Sequence, residues 1–184
     1  MNESLPGGNQ VLDPEQILVN ELGLDEKARV ADLGCGTMAY FTIAAAKIVS
    51  GDGQVYAVDV QKEVLSAVAA HAKFLQLSNI RTVWSNLEIV GATKIDSAVD
   101  FCLLVTCLFQ NTERLQVMKE TARLLKDSGR LLVVEWQPRA TALGPEPAKR
   151  VTPEEVKKLA VQTGLKLIKE FSASQYHYGL IFEK

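Results

Sequence analysis

From residue 29 onward, short apolar runs alternate with amphipathic stretches. Residues 29–33, 54–58, 80–84, 99–105 and 130–136 read as strands. The run at 99–105 is almost continuously apolar, as suits a strand buried on both faces. Between them the period changes to that of helices. Residues 40–49 form one. Residues 61–77 form another, with Val64, Leu65, Val68, Ala72 and Leu75 on one stripe and His71 beside it as a structural residue. A third starts at a cap on Asn111 or Thr112, carries Leu115, Met118, Ala122 and Leu125 on one face, and ends near residues 127–129. A fourth begins at Thr152-Pro153-Glu154-Glu155, with a cap, a proline at the first position and a glutamate at the third, and runs to Gly164. Two strands follow at 165–171 and 178–182, joined by residues 172–175. Ahead of all this lies a loose Gly- and Pro-containing arm at 1–12. A short helix follows it, opened by Asp13-Pro14-Glu15-Gln16 and closed by Gly23.

Strand–helix alternation implies a parallel sheet with helices on both faces. Two final strands with no helix between them pair antiparallel, since a parallel return needs a long crossover. The expected fold is therefore α/β: a doubly wound, mostly parallel, seven-stranded sheet with a C-terminal antiparallel hairpin. The expected division is an arm and short helix at 1–27 and one domain at 28–184. With 184 residues, 47% apolar and 23% charged, the chain can bury a core without metals or disulfides. A formal charge of −2 gives no basic footprint for nucleic acid. The three cysteines, Cys35, Cys102 and Cys107, form no Cys-x-x-Cys, and His71 and His177 are far apart, so no metal site is expected. Reduced thiols, an N-terminus unlike a signal peptide and no apolar run long enough to span a bilayer suggest a cytoplasmic protein.

The chemistry lies where the first strand turns into the first helix, at Asp32-Leu33-Gly34-Cys35-Gly36-Thr37-Met38-Ala39. Gly34, Gly36 and Ala39 keep the Gly-x-Gly-x-x-Gly/Ala spacing. The first allows a tight turn, the second a close approach of ligand to backbone, and the third close helix–strand packing. Asp59 ends the second strand, where a carboxylate can accept both hydroxyls of a ribose. An adenosine-containing cofactor follows. A dinucleotide would place its pyrophosphate beside the Asp32 carboxylate, which is repulsive. A cofactor bearing an ammonium and a sulfonium would be attracted by it.

Val30-Ala31-Asp32-Leu33-Gly34-Cys35-Gly36 resembles motif I of the class I, Rossmann-like, S-adenosylmethionine-dependent methyltransferases. Val55-Tyr56-Ala57-Val58-Asp59 resembles the segment ending in their ribose-binding acid, and Leu124 to Leu132 their leucine-rich turn before the fifth strand. The chain is similar to the small prokaryotic proteins of the quinone-methylating group, with Tyr40-Phe41-Thr42 entering the first helix. The resemblance implies that S-adenosylmethionine is held by Asp32, Gly34, Cys35, Gly36, Tyr40, Asp59, Val60, Asn86, Leu87 and Thr106, and leaves as S-adenosylhomocysteine. The chain departs from the family pattern with Asn86 where many relatives have aspartate, Ala39 for the third glycine, and Asp127-Ser128 for proline-glycine.

Methyl transfer needs alignment more than a fixed catalytic set, so motifs reveal the cofactor better than the catalyst. Ligands of open α/β sheets bind outside the carboxyl ends of the strands. Tyr40, Cys107, Gln110 and Trp136 are therefore candidates for lining the acceptor site. Glu135 and His177 are the candidate bases. Plainer readings stand beside these: Trp136 as rim packing, His177 as a satisfied strand histidine, Cys107 as an apolar filler and Glu135 as a solvated strand end. Lys149-Arg150 reads as a solvated pair, with contact to an anionic substrate as the alternative. Segments 1–27 and 137–151 are candidate lids. The fourth strand ends in Thr106-Cys107-Leu108-Phe109, without the proline-rich turn of many nucleic-acid and protein methyltransferases. A small-molecule acceptor is thus the leading expectation. A homo-oligomer, a nicotinamide-dependent reductase and a non-catalytic methyltransferase-like subunit stay open.

Overall fold

A computed structural model describes residues 11–51 and 53–184, so residues 1–10 of the arm expected at 1–12 lie outside the described residues, and Leu12 is buried in the core. Strands β1 (Arg29–Leu33), β2 (Gln54–Asp59), β3 (Ile80–Trp84), β4 (Val99–Val105), β5 (Leu125–Trp136), β6 (Lys166–Ser172) and β7 (His177–Glu183) form one sheet in the order β3-β2-β1-β4-β5-β7-β6. β7 runs antiparallel to both neighbours, and β1 to β5 are mutually parallel. Because β7 is reversed, its first residue, His177, pairs with Trp136 at the end of β5. Both therefore stand at the carboxyl edge of the sheet.

Helices α2 (Tyr40–Val49), α3 (Lys62–Phe74), α4 (Arg114–Leu124) and α5 (Pro153–Gln162) cover the two faces. α5 starts as its sequence requires: Thr152 Oγ1 accepts from the Glu155 N–H at 3.2 Å, with Pro153 at the first position. The central strands are buried on both sides, whereas the edge strands β3 and β6 are largely exposed. None of the helices is long and apolar enough to cross a membrane among the described residues.

The N-terminal helix starts as α1 (Pro14–Gln16) and continues as a π-helical stretch (Ile17–Leu22). Asp13 Oδ1 accepts from the Gln16 N–H at 3.0 Å, and Gly23, at φ +76°, closes the last turn. Ile17, Leu18 and Leu22 are buried with Val30, Leu103 and Leu132. The described part of segment 1–27 thus belongs to the core and is no lid, because its apolar stripe is spent against the sheet.

Two boundaries differ from the pattern. Neither Asn111 nor Thr112 caps α4; Glu113 occupies that position without a side-chain cap. Glu88, from the loop after β3, supplies the acceptor instead. Its Oε1 takes the N–H groups of Thr112 and Glu113 at 2.8 and 2.9 Å and the Thr112 hydroxyl at 3.2 Å. α4 also ends at Leu124 rather than near residue 127. Leu125 pairs with Val99 across a register shift in the β4–β5 ladder, so strand pairing overrides the helical stripe.

The Lys149-Arg150 pair divides. Arg150 is buried and gathers the loop after β5: its guanidinium donates to the carbonyls of Gln137, Arg139, Leu143 and Pro145 and to the Thr141 hydroxyl. A fork with five donors suits that cluster, and the Arg150 donors are spent on it. His71 is half-buried and sits outside the core, because Ala72 takes the inward position.

Glu120 of α4 is fully buried and ties down the loop between β3 and β4. It accepts from the N–H groups of Gly91 at 2.6 Å and Thr93 at 2.8 Å, and from Arg123. Burial pushes its carboxyl up, but these donors outweigh burial and hold it at about 2. Glu120→Ala leaves two backbone donors and a guanidinium without their acceptor. It should cost about 3 kcal/mol in urea unfolding; a loss under about 1 kcal/mol would contradict this role.

Candidate active site

β1 lies where the strand order changes direction: β2 and β3 extend from one side of it, β4 and β5 from the other. In open α/β sheets the crevice at that point, outside the carboxyl ends, holds the ligand. The loop from β1 to α2 forms its floor. The N–H groups of Gly34 and Cys35 both donate to the Val58 carbonyl, at 2.8 and 3.1 Å, which pins the loop to β2. Gly34 and Gly36 take φ of +79° and +65°. A Cβ on Gly34 would lie 2.7 Å from Cys107 Sγ, whereas one on Gly36 would meet nothing within 4 Å among the described residues. Gly34 is therefore a packing glycine, and Gly36 leaves backbone open to the crevice.

The crevice is a cleft of about 310 Å³, within the range of small-molecule sites. Among the residues named from the sequence, Gly34, Gly36, Asp59, Val60, Asn86, Leu87, Cys107 and Gln110 line it. Asp59 Oδ2 accepts from the Gly36 N–H at 3.3 Å and Oδ1 from the Gln61 N–H at 2.9 Å. Both oxygens keep lone pairs that can accept from a diol. Asn86 Oδ1 accepts from the Glu88 N–H at 2.9 Å, which leaves its amide NH₂ as the group to offer a ligand.

Thr37, Gln61, Val64, Ser85 and Asn111 also line the cleft and were not singled out. Thr37 lies inside the glycine motif, and Ser85 and Gln61 flank named residues, so adjacency could have found them. Asn111 could not be found that way, because it reads as a helix cap. In the structure its Nδ2 donates to the Cys107 carbonyl at 2.8 Å instead.

The other named residues stand elsewhere. Asp32 is buried beside the floor, where Thr42 Oγ1 donates to its Oδ2 at 2.5 Å. Burial, opposed by that bond and reinforced by Asp59, raises its carboxyl from 3.8 to about 6. Cys35 is buried. Tyr40 lines a second groove of about 490 Å³ on the outer face of α2, with Met38, Asp13, Lys47 and His71. Thr106 follows β4 at φ +47°, a strained conformation for a β-branched residue, with its N–H on the Val134 carbonyl at 2.8 Å. Glu135 and Trp136 are buried at the carboxyl end of β5, and His177 is buried at the start of β7. Trp136 and His177 pack with tilted rings, 41° between planes and 4.1 Å between centroids. The Ser174 hydroxyl meets His177 Nδ1 at 3.0 Å. Burial, with Arg150 nearby, lowers His177 to about 4. The cysteine thiols are pushed up by burial and are no ready nucleophiles.

A family model described as a methyltransferase domain matches residues 24–176. The chain belongs to this methyltransferase-domain family, and its fold is that of the class I, S-adenosylmethionine-dependent methyltransferases. A SAM-dependent methyltransferase from Aquifex aeolicus superposes with a TM-score of 0.86 at 26% identity, covering 97% of this chain and 93% of that one. A demethylmenaquinone methyltransferase of Geobacillus sp. is 26% identical over 117 residues, 64% of this chain. A probable cobalt-precorrin-6B C(15)-methyltransferase of Methanosarcina mazei is 29% identical over 132 residues, 71% of this chain and 67% of that relative. The chain spans about half the length of the demethylmenaquinone methyltransferases it matches, 49% and 44%.

The two glycines should separate under mutation. Gly34→Ala combines left-handed strain with a clash against Cys107 and should cost about 2–3 kcal/mol of stability. Gly36→Ala should cost only about 1 kcal/mol, yet weaken S-adenosylhomocysteine binding about tenfold or more, because its methyl enters the cleft. Thermal unfolding and calorimetry on both variants test this; equal effects on both properties would refute the division.

Burial also sets a pH dependence of folding. Asp32 and Glu135 titrate at about 6 and about 7 against ordinary values of 3.8 and 4.5, so the folded chain holds their protons longer, and stability falls as pH rises through those windows. His177, lowered from 6.5 to about 4, acts oppositely. Between about pH 5 and pH 8 the two acids outweigh the histidine, for a net loss of about 2 kcal/mol. Urea midpoints across that range check the sign, and a rise with pH would reject it.

Proposed function

We propose that the chain binds S-adenosylmethionine in this cleft and transfers its methyl group to a small-molecule acceptor. The observation that carries the reading is the joint between Asp59 and Gly36. A buried carboxylate and a half-buried glycine backbone meet at the switch point of the sheet, with the cleft in front of them. When bound, the cofactor supplies a sulfonium-activated methyl group and departs as S-adenosylhomocysteine. Asp59 holds the ribose hydroxyls, and Asn86 and Leu87 meet the adenine, one by its amide and the other by apolar contact. The open backbone at Gly36 and Thr37 faces the aminoacyl end. Asp32, beneath the floor, supplies negative potential that favours the cationic cofactor over its neutral-sulfur product.

The post-β4 turn, with Cys107, Gln110 and Asn111, bounds the side from which an acceptor approaches. Alignment of that acceptor and exclusion of water carry the rate. The relatives named for demethylmenaquinone and for cobalt-precorrin-6B differ widely in acceptor but share the small-molecule class, which supports that class here. The −2 formal charge also supports it over nucleic acid.

Calorimetry should detect binding of both S-adenosylmethionine and S-adenosylhomocysteine, and Asp59→Ala should weaken it by about tenfold or more. The absence of heat and of any thermal shift with either compound would overturn the cofactor assignment. Cofactor binding without transfer of labelled methyl to any extract component would instead favour a non-catalytic subunit.

A further inference from the structure

Glu135, one residue from the end of β5, is fully buried. Its Oε1 accepts from the Phe109 N–H at 3.3 Å, the N–H groups of Leu108 and Trp136 also act on the carboxyl, and its Oε2 has no hydrogen-bond partner among the described residues. Phe109 belongs to the turn that leaves β4 and presents Cys107, Gln110 and Asn111 to the cleft. The same turn is held from its other side: Arg114 Nε donates to the Leu108 carbonyl at 3.1 Å, and Asn111 Nδ2 to the Cys107 carbonyl. At its near end Cys107 Sγ fills the space that a side chain on Gly34 would need. A small shift of this turn is therefore transmitted to the glycine floor.

A half-satisfied buried carboxylate is a poor choice for stability alone. A glutamine or leucine would fill the place without desolvating a charge. What a carboxylate adds is a stronger grip on backbone N–H groups. We propose that Glu135 is a positioning residue for cofactor binding: from inside the sheet its carboxylate holds the post-β4 turn in the placement that completes the cleft. This rests on the cleft being the cofactor site.

The grip depends on charge. The groups facing Glu135 are Arg114 from α4, Tyr178 directly across the β5–β7 pair, and the Cys107 thiol from the turn; Glu155 of α5 engages Arg114 at 2.7 Å. Burial raises Glu135 to about 7, and the N–H groups and Arg114 pull it only partly back. Arg114 stays charged through this range, while the Tyr178 and Cys107 protons are held more tightly by burial. Ionisation of Glu135 therefore tightens the turn as pH rises past neutrality.

Two measurements test this. In the unliganded wild-type chain, the Phe109 amide proton should titrate in NMR spectra with a midpoint near 7, and a flat profile overturns the grip whether or not any cofactor binds. In calorimetry with S-adenosylhomocysteine, wild-type affinity should rise about fivefold between about pH 6 and pH 8. Glu135→Gln should bind about fivefold more weakly at the higher pH and lose most of that pH slope. Its melting temperature there should equal or exceed that of the wild type, since the buried charge is gone. A variant that keeps wild-type affinity and slope, or one that is merely less stable, overturns the positioning role. Titration of Phe109 with no binding of S-adenosylhomocysteine by the wild type would leave the grip standing and refute the cofactor site instead.

Discussion

The structure depends on the chain reversing its direction of travel across the sheet at β1. Parallel strands on either side of β1 send their following segments to opposite faces, so a crevice opens at the carboxyl ends of β1 and β4. The Val58 carbonyl, accepting from Gly34 and Cys35 together, turns that gap into a floor. If that anchor moved, Asp59 and Gly36 would not meet, and the cleft would lose its binding edge.

Around this floor the protein concentrates buried acids. Asp32 and Glu135 are raised toward neutrality by burial, and Asp59 lies against the floor itself. Such a cluster is unfavourable in the empty protein and favours a ligand that brings positive charge. By contrast, Glu120 is equally buried but fully engaged by donors, and it serves to fix the loop between β3 and β4. Burial raises Asp32, Glu120 and Glu135 alike, and the donors around each decide how far it is pulled back.

Three segments far apart in sequence form the walls of the cleft: the glycine loop, the end of β3 with its following loop, and the turn after β4. Glu88 links the second to the third by capping α4. The walls are thus parts of one bonded frame, in which a change at one is felt at the others.

The strand–helix alternation, the terminal hairpin and the glycine motif with its distant aspartate were all legible in the chain, because period, turn chemistry and spacing are local properties. Gly34, Gly36, Asp59, Asn86 and Leu87, named from those local signals, line the cleft. Tertiary structure decided what the local pattern could not express. Asn111 reads as a helix cap but closes the Cys107 turn, since its competing partner is supplied by Glu88 from 24 residues or more away. Arg150 reads as a surface cation but is the buried tie of its loop, because five acceptors converge on it only after folding. Which end of the sheet His177 would reach depended on strand reversal. Sequence determines which groups are available and their local geometry; long-range packing determines which of them are left without water, and so which have chemistry to do.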